Sequence, residues 1–344
     1  MVFSLTDRVR MNIGILGAGS WGTTLAALLC EKNHNVTLWS YDARDAANMR
    51  TERRNTVYLP GLLLPDALAV TEDIREAVSG MDMLVISTPS QFVRPVLKDV
   101  DGALPGDAIV VNVAKGIENG SLLRVSQVVH ELWPQMTAGQ YAVLSGPSHA
   151  EEVSQKRPTT VVAASSNPRT ARTVIETFMT DSFRVYGSDD VIGVELGGSL
   201  KNVIAIGAGI CDGSQFGDNT KAALITRGLA EIRRLGAALN ADPHTFAGLS
   251  GLGDLIVTTM SRHSRNRHVG VEIGKGRPVR AVLDEMTMVA EGVDTTRSAH
   301  ELALKLGVEM PIIHQMYSIL FEDKNPILAT QELMTREAKH EDWS

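Results

Sequence analysis

Three glycines near the start of the chain have the spacing of a phosphate-binding turn. Gly17, Gly19 and Gly22 follow an apolar run at residues 12–16 and precede a helical pattern at 23–29. In such a strand, turn and helix the first glycine allows the tight turn, and the second lets the backbone approach a pyrophosphate. The third lets the helix pack on the strand, and the helix N-terminus adds free N–H groups and a positive dipole end. The stretch favours a dinucleotide site over a glycine-rich turn without a ligand.

Asp42 stands just past the next strand pattern, which covers residues 36–39. An acidic residue there can accept a hydrogen bond from a ribose 2′-hydroxyl and would repel a 2′-phosphate. Arg44 nearby could instead bind that phosphate. We therefore expect both NADH and NADPH to be used, with a preference of undetermined sign below about a thousandfold, or about 4 kcal/mol.

Two lysines stand where a charge can act on a substrate. Lys115 follows the strand pattern at 108–113, and ligands of parallel sheets bind at the carboxyl ends of strands. A solvated surface position is the alternative for this residue. Lys201 lies within a long, apolar, glycine-rich helical pattern, where burial of an unpaired charge is costly. Burial also lowers the pKa of a lysine, so Lys201 is a candidate general acid and base.

Three further patches carry polar groups. Residues 145–150 form a Gly-Pro-Ser loop after a strand pattern, and a glycine-rich turn at 248–254 ends in the carboxylate of Asp254. Residues 261–268 hold three arginines, two histidines and an asparagine. We interpret this last patch as a small-anion pocket with Arg265 as a bidentate phosphate donor. A solvated charged face and a nucleic-acid patch are the alternatives.

The elements that must position these residues change in kind near Asp189. Before it, strand patterns at 12–16, 36–39, 69–78 (with a helix), 82–86, 108–113, 141–144, 159–164 and 183–186 alternate with helical ones at 23–29, 91–100, 121–132 and 170–179. A helix and then a loop are expected over 42–64. This alternation predicts an α/β, Rossmann-like domain at 1–189 with a mostly parallel sheet covered by helices on both faces.

After Asp189 the pattern becomes helical throughout. Helices are predicted at 191–210, 220–240, 269–275, 279–286, 295–306 and 312–321, which indicates an all-α substrate domain at 190–344. The first of these contains five glycines. Because each glycine costs a helix about 1 kcal/mol against alanine, we expect another backbone or a ligand to approach it closely.

The composition limits the classes of function. The 344 residues are 44% hydrophobic and 21% charged with a formal net charge of -7, which is typical of a soluble protein and argues against broad nucleic-acid binding. Cys30 and Cys211 lie in apolar stretches and are expected to be buried thiols, with no metal-type spacing. No apolar run spans a bilayer and residues 1–10 do not resemble a signal peptide. The charged residues 336–344 are expected to fray.

Several motifs together resemble the soluble, bacterial type of NAD(P)-dependent glycerol-3-phosphate dehydrogenase. The resemblance extends from Asn12 to about Asn325. It is carried by GAGSWGTTLA at 17–26, AKGIE at 114–118, SGPSHAEE at 145–152, LKNVIAIGAGICDG from 200, FGDNTKAALITRGLAE from 216, GLGDLIVT from 251 and SRNR at 264–267. Thr24 and His149 replace a more usual alanine and aromatic residue, and we expect neither to touch the chemistry.

The resemblance implies roles for particular residues. Lys201 would be the general acid and base, and Asp254 would orient a lysine or a substrate hydroxyl. The substrate would be lined by Lys115, Gly146, Ser148, Lys201, Asp254, Ser264, Arg265 and Asn266. The dinucleotide, on the glycine turn, would be surrounded by Ser20, Trp21, Tyr41, Tyr58, Lys115, Ala150, Arg265, Val289 and Glu291. For Tyr41 and Tyr58, ordinary packing is an equal alternative.

The implied activity is reversible hydride transfer between NAD(P)H and dihydroxyacetone phosphate. The product would be sn-glycerol 3-phosphate for glycerophospholipid synthesis, made by a cytoplasmic homodimer without a metal or a nucleic-acid partner. Two alternatives stay open. One is another two-domain dehydrogenase, of the 3-hydroxyacid or 6-phosphogluconate type, which the patch at 264–267 disfavours. The other is a non-catalytic NAD-binding sensor, which would not require both Lys115 and Lys201.

Overall fold

The computed structural model describes residues 10–100, 102–103, 106–286, 288–338 and 340–341. The apolar runs of the first half form strands. In chain order these are β1 (Asn12–Leu16), β2 (Asn35–Trp39), β3 (Arg54–Asn55), β4 (Leu59–Leu63), β5 (Ala69–Thr71), β6 (Met83–Ile86), β7 (Ile109–Asn112), β8 (Tyr141–Ser145), β9 (Thr159–Ala164) and β10 (Phe183–Ser188).

Eight strands of the described chain form one sheet in the order β10-β9-β8-β7-β6-β1-β2-β5. The pairs along it are parallel except β8 with β9, which is antiparallel. Ile13 of β1 pairs with Val36 on one side and Met83 on the other, so β1 lies inside the sheet. The prediction of a mostly parallel sheet is confirmed.

The sheet is apolar on both faces because both are covered. Ile13 and Ile15 of β1 pack into one buried cluster, and Leu16 packs into another on the opposite face. The same alternation divides Val85 from Ile86 in β6. Central parallel strands that are buried on both faces have continuous runs of Val, Ile and Leu in their sequences. These runs are the reason that the strands could be predicted from the sequence.

Short helices connect these strands. They are α1 (Ser20–Glu31), α2 (Ala43–Glu52), α3 (Val93–Lys98), α4 (Val125–Leu132), α5 (Ala150–Val153) and α6 (Pro168–Phe178). From Val191 onward the described chain is helical: α7 (Val191–Gly213), α8 (Asp218–Ala238), α9 (Asp254–Met260), α10 (Arg265–Gly274), α11 (Val279–Asp284), α12 (Glu291–Leu306), α13 (Pro311–Phe321) and α14 (Pro326–Met334).

The long helix α7 is the core of this helical half. Of the described helices, it alone has the length and apolarity of a membrane span, but 89% of its most apolar window is buried inside the protein. Its glycines allow the close approach that the sequence predicts. A Cβ on Gly209 would lie 2.0 Å from the carbonyl oxygen of Arg267 in α10, and one on Gly270 of α10 would lie 1.9 Å from that of Ile206.

Some local predictions were wrong. The helix expected after β5 is a series of turns, because the Thr71 hydroxyl accepts from the Asp73 N–H and the Asp73 carboxylate accepts from the Arg75 N–H. Such side-chain acceptors compete with helical hydrogen bonds. The loop expected after α2 contains the antiparallel ribbon of β3 and β4. The helix expected from residue 121 begins at Val125, because Arg124 pairs with Ile117 in an isolated bridge.

Two helices were not predicted, α9 and α14. Each is short, and α14 begins with Asn325 as N-cap and Pro326 in its first turn, a start signal that the sequence contains. Cys30 and Cys211 are both buried free thiols, as expected. Residues 1–9 and 342–344 lie outside the described chain, so the expectations for the two termini stay expectations.

Candidate active site

Two lysines and one carboxylate meet where the sheet contacts α7 and the turn that leads into α9. Lys115 follows β7, and its Nζ donates to Asp254 Oδ2 at 2.7 Å and to the carbonyl oxygen of Gly146 at 3.2 Å. Lys201 of α7 donates to the other oxygen of Asp254 and to the hydroxyl of Thr258 at 2.7 Å. We call Lys115, Lys201, Asp254 and Thr258 the Asp254 cluster.

The Asp254 cluster is largely shielded from water. The side chain of Asp254 is 1% exposed and that of Lys201 is 7% exposed. Burial lowers the pKa of Lys201 to about 7, with the charge of Lys115 adding to burial and that of Asp254 opposing it. Burial alone would raise the pKa of Asp254, but Lys115 and Lys201 outweigh it and hold that pKa below its usual value. The amine of Lys201 can therefore gain and lose a proton near neutral pH.

Small residues allow the two halves of the chain to meet here. A Cβ on Gly197 of α7 would lie 2.5 Å from the Ser250 carbonyl oxygen, in the π-helical turn that leads into α9. A Cβ on Gly198 would lie 2.7 Å from Ser145 Oγ and 3.5 Å from Lys115 Cγ. The glycine pair thus makes room for the start of α9 and for the side chain of Lys115.

The three arginines at 261–268 have different partners in the folded chain. Arg267 pairs with Asp212, with an Nη2 to Oδ2 distance of 2.6 Å. Arg262 lines a separate polar pocket with Glu151 and Glu152. Arg265 is exposed at the start of α10 and donates to the Val289 carbonyl oxygen at 3.0 Å. The structure thus singles out Arg265 from the arginines of the patch.

Ser264 and Asn266 flank Arg265 but are already engaged. Ser264 is the N-cap of α10 and accepts from the Arg267 N–H at 3.2 Å. Asn266 donates to Asn202 Oδ1 at 3.0 Å and accepts from the Gly292 N–H at 2.9 Å. Their first effect is therefore to fix the start of α10 and the angle at which it presents Arg265.

Glu291 links this corner to the Asp254 cluster. Its carboxylate accepts from the Ser90 N–H at 2.9 Å. Burial raises the pKa of Glu291, and the charges of Arg265, Lys115 and Lys201 partly offset that rise. These three cations therefore act on one neighbourhood, which suits a phosphorylated substrate.

The glycine turn has the shape that a pyrophosphate needs. Gly17 has φ +117°, and a Cβ there would lie 2.9 Å from the backbone of Ser87 and Thr88. A Cβ on Gly22 would lie 2.0 Å from the Gly17 carbonyl oxygen, whereas a Cβ on Gly19 would have no other atom of the protein within 4 Å beyond its chain neighbours. No side chain caps α1, which begins at Ser20, so its first N–H groups suit a phosphate. These residues fit a dinucleotide.

Four of the other residues predicted to surround the cofactor lie in different surroundings: Trp21, Tyr41, Tyr58 and Ala150. Tyr58 belongs to the ribbon of β3 and β4, which Asn55 ties to the glycine turn through the Ala18 carbonyl oxygen. Ala150 lies beside α1, where its carbonyl oxygen accepts from the Thr24 hydroxyl at 3.4 Å. The Trp21 ring packs at 6.3 Å from Phe183. Tyr41 is 88% exposed and meets Trp39 edge to face, so it is not packed into the core.

The last two predicted site residues, Ser148 and Val289, form hydrogen bonds with groups of the site. Ser148 donates its hydroxyl hydrogen to the Gly146 carbonyl oxygen at 3.0 Å, and the same carbonyl oxygen accepts from Lys115. The Val289 carbonyl oxygen accepts from Arg265. Both residues therefore lie beside the cations of the site.

Sequence reasoning missed two groups of the site. Thr258 lies four residues after Asp254 on α9, a spacing that could have identified it. Asn202 donates to the Lys115 carbonyl oxygen at 3.4 Å. His149 is expected not to touch the chemistry. Burial lowers its pKa, and the charges of Lys201 and Lys115 add to that effect. Its ring centroid lies 5.9 Å from that of His263, which lines the same pocket as Arg262. That His149 takes no part in the chemistry stays a prediction.

Comparisons with known proteins match one family over most of the chain. A family model described as NAD-dependent glycerol-3-phosphate dehydrogenase N-terminus matches residues 12–171, and the corresponding C-terminus model matches residues 190–331. A glycerol-3-phosphate dehydrogenase [NAD(P)+] of Citrifermentans bemidjiense is 54% identical over 96% of this chain and 98% of its own length. One of Chlorobium phaeobacteroides is 52% identical over 96% and 99%. The crystal structure of a Coxiella burnetii glycerol-3-phosphate dehydrogenase superposes with a TM-score of 0.91, at 39% identity over 95% and 99% of the two chains.

Proposed function

The chain belongs to the NAD-dependent glycerol-3-phosphate dehydrogenase family, and from that premise we propose how its own residues perform the reaction. It is an oxidoreductase that transfers a hydride between NAD(P)H and dihydroxyacetone phosphate to give sn-glycerol 3-phosphate. The nicotinamide supplies or accepts that hydride when it is bound. The comparisons support this reading over a 3-hydroxyacid or 6-phosphogluconate dehydrogenase and over a non-catalytic sensor.

We propose that Lys201 donates the proton to the alkoxide that develops during ketone reduction. The observation that carries this role is the Asp254 cluster, where one buried carboxylate holds two lysines beside the Gly146 loop. Asp254 fixes the amine of Lys201, and Lys115 adds positive charge near the reacting oxygen. In the reverse reaction the neutral amine of Lys201 accepts the proton.

We propose that Arg265 binds the substrate phosphate. Arg265 is exposed and anchored through Val289, and its charge, with those of Lys115 and Lys201, offsets part of the rise that burial causes in the pKa of Glu291. A guanidinium is suited to bidentate binding of phosphate. Ser264 and Asn266 fix the start of α10. Gly146 accepts from Lys115 in the loop that also contains Ser148.

Replacing Lys201 by methionine tests the proposed proton donor. Lys201→Met keeps the apolar stem and removes only the amine, so we expect turnover to fall by at least about a hundredfold, the low end for general acid–base catalysis. Dihydroxyacetone phosphate reduction is measured with NADH and with NADPH, and NADH binding is followed by fluorescence. Binding should persist. Lys275→Met, at an exposed lysine paired with Glu272, should leave both quantities unchanged.

The pH profile tests the same assignment. With a Lys201 pKa near 7, reduction should fall as the pH rises through about 7, because it uses the protonated amine. Oxidation of glycerol 3-phosphate should rise over the same range. Near-normal turnover of Lys201→Met would assign the proton to another group, and Lys115 would be tested next. A panel with 3-hydroxyacids and 6-phosphogluconate checks the substrate class.

We also propose that the chain works as a cytoplasmic homodimer, as its resemblance to the family implies. Exposed apolar side chains near the C-terminus, on α12 and α14, support self-association: Leu304, Leu306, Ile327, Leu328 and Met334. Light scattering of the purified protein measures the mass. A mass of one chain at micromolar concentration would contradict the dimer.

A further inference from the structure

A short helical turn after β6 packs against the loop that carries Lys115. The turn covers Ser90–Phe92, and the loop follows β7. Because β6 and β7 pair in parallel, both segments leave the sheet at the carboxyl ends of neighbouring strands. A Cβ on Gly116 would lie 2.1 Å from Ser90 Oγ, so this glycine lets the loop lie directly on the turn. The turn can therefore fix the backbone that follows Lys115.

Gln91 holds this loop backbone at two points with its side-chain amide. Its Nε2 donates to the Ile117 carbonyl oxygen at 2.9 Å, and its Oε1 accepts from the Asn119 N–H at 2.9 Å. A carbonyl oxygen needs a donor and an N–H needs an acceptor, so one orientation of the amide satisfies both partners. Gln91 thus restrains the backbone within a few residues of Lys115.

Other contacts of the loop restrain its backbone less directly. Arg94 Nη2 donates to Glu118 Oε2 at 2.9 Å, but it reaches the loop through a side chain that can rotate. Asn202 does reach the backbone, at the Lys115 carbonyl oxygen, but at 3.4 Å that hydrogen bond is long. The paired bonds of Gln91 are the shorter backbone contacts, and we expect their loss to let the loop shift.

The position of Lys115 decides how Asp254 acts on Lys201. Lys115 Nζ lies 2.7 Å from Asp254 Oδ2, and Lys201 donates to the other oxygen. The charge of Lys115 lowers the pKa of Lys201, whereas that of Asp254 raises it. If Lys115 moved away, the pKa of Lys201 would rise for both reasons. His149 and Glu291 are the other titratable groups on which the charge of Lys201 acts, and they lie outside this loop.

We propose that Gln91 is a positioning residue for the reaction, because its clamp on the loop backbone keeps the amine of Lys115 on Asp254. Gln91 acts through Lys115 and is assigned no contact with the substrate. This inference rests on the proposed function and deepens it, since it names the group that places the proposed positive charge near the reacting oxygen.

Gln91→Met tests the clamp, because methionine has a similar length but lacks the amide. We expect turnover in dihydroxyacetone phosphate reduction to fall at least about tenfold, since a displacement of about 1 Å can cost about a hundredfold. The pH midpoint assigned to Lys201 should rise by at least about 0.5 unit, a fraction of the 1–3 units that a close charge causes. A loss of stability alone would lower the amount of folded enzyme but would not move this midpoint.

Gln140→Met is the matched control at the other end of β7. Gln140 Nε2 donates to the carbonyl oxygens of Gly106 at 2.8 Å and Ala108 at 3.3 Å, and its Oε1 accepts from the Thr137 N–H at 2.9 Å. This amide also clamps backbone, but at the end of β7 that is remote from Lys115. Turnover should stay within about twofold of wild type and the midpoint within about 0.2 unit, as for independent sites.

A double variant tests whether Gln91 acts through Lys115. Adding Gln91→Met to Lys115→Met should change turnover by no more than about twofold and leave the midpoint unchanged, because the positioned group is already absent. Additive effects would overturn the proposal. So would an unchanged midpoint in a Gln91→Met variant that circular dichroism shows to be folded. If Gln91→Met does not fold, Gln91→Ala, which adds no bulk, is measured in its place.

An NMR titration separates this inference from the proposed function. In protein made with isotope-labelled lysine, the Nζ resonance of Lys201 is assigned by its loss in Lys201→Met and reports the pKa without substrate. A higher pKa in Gln91→Met than in wild type and Gln140→Met supports the inference even where dihydroxyacetone phosphate is not reduced. If the substrate is reduced and the pKa is the same in all three proteins, the proposed function stands and the inference fails.

Discussion

A single carboxylate organises the chemistry at the residue scale. Asp254 accepts from Lys115 with one oxygen and from Lys201 with the other, so one carboxylate holds two cations close together. Mutual repulsion and burial both disfavour the charged amine of Lys201, whose pKa falls to about 7. The same three residues thus supply a fixed positive charge and a proton that is easily exchanged.

Arg265 is the residue whose removal should weaken substrate binding most directly. Loss of one charge-assisted, bidentate contact costs about 2–3 kcal/mol. Arg265→Ala should therefore raise the KM for dihydroxyacetone phosphate tens-fold or more, measured in steady-state reduction at saturating cofactor. Arg262→Ala is the control, because Arg262 belongs to the same patch but lines another pocket. Unchanged KM values for substrate and cofactor would remove Arg265 from the site.

At the scale of elements, α7 determines whether the site forms. It carries Lys201, leaves room for α9 at Gly197, and packs against the backbone of α10 at Gly209. Because α10 begins with Arg265, the spacing of α7 and α10 also sets the distance between the proposed proton donor and the proposed phosphate ligand. The glycines therefore allow the two helices to pack closely here, at a cost in helix propensity.

Gly209→Ala should destabilise the protein although alanine favours a helix. Its Cβ would meet the Arg267 carbonyl oxygen at 2.0 Å, and a backbone atom cannot move aside as a side chain can. We expect a loss of about 2 kcal/mol or more in the free energy of unfolding, measured by urea denaturation.

Gly207→Ala is the matched control on the same helix. The nearest atoms to its Cβ are the side-chain ends of Leu224 at 3.1 Å and Met316 at 3.4 Å, which can adjust. Its free energy of unfolding should change by no more than about 1 kcal/mol. Equal effects of the two substitutions would show that α7 and α10 separate readily.

At the scale of the whole molecule, a buried carboxylate joins the sheet to the helical half. Glu195 of α7 accepts from the Tyr141 hydroxyl in β8 at 2.7 Å and from the Ser126 N–H in α4 at 2.8 Å. Arg124 donates to its other oxygen at 2.7 Å. These bonds hold α7 against the sheet beside the antiparallel pair, and so set where Lys201 stands relative to Lys115.

Glu195→Ala should destabilise the whole protein. Breaking a buried ion pair by removing one partner costs about 3–5 kcal/mol, because it leaves Arg124 and the hydroxyl groups without their acceptor. Thermal or urea unfolding measures the loss. Glu176→Ala, in an exposed pair with Arg172, should change the free energy of unfolding by at most about 0.5 kcal/mol. A loss below 1 kcal/mol for Glu195→Ala would mean that the halves are held together by apolar packing.

Local patterns were sufficient for much of this protein. The strands around β1, the glycine turn, the apolar helix α7 and the buried Lys201 were all predicted from the sequence. Each depends on residues close together in the chain, such as a run of β-branched side chains or glycines at fixed spacing. The family resemblance added the function and the expected site residues, which a periodicity does not contain.

Only the tertiary structure decided which groups meet. Asp254 contacts Lys115 from 139 residues away and Lys201 from 53 residues away. Likewise, pairing with Asp212 separates Arg267 from Arg265, and a cap engages the carboxylate of Asp42. The sequence identifies a charged residue and the element that carries it, but the partner of that residue depends on where α7 packs against the sheet. The position of α7 is set by glycine contacts and buried hydrogen bonds between segments that are remote in the chain.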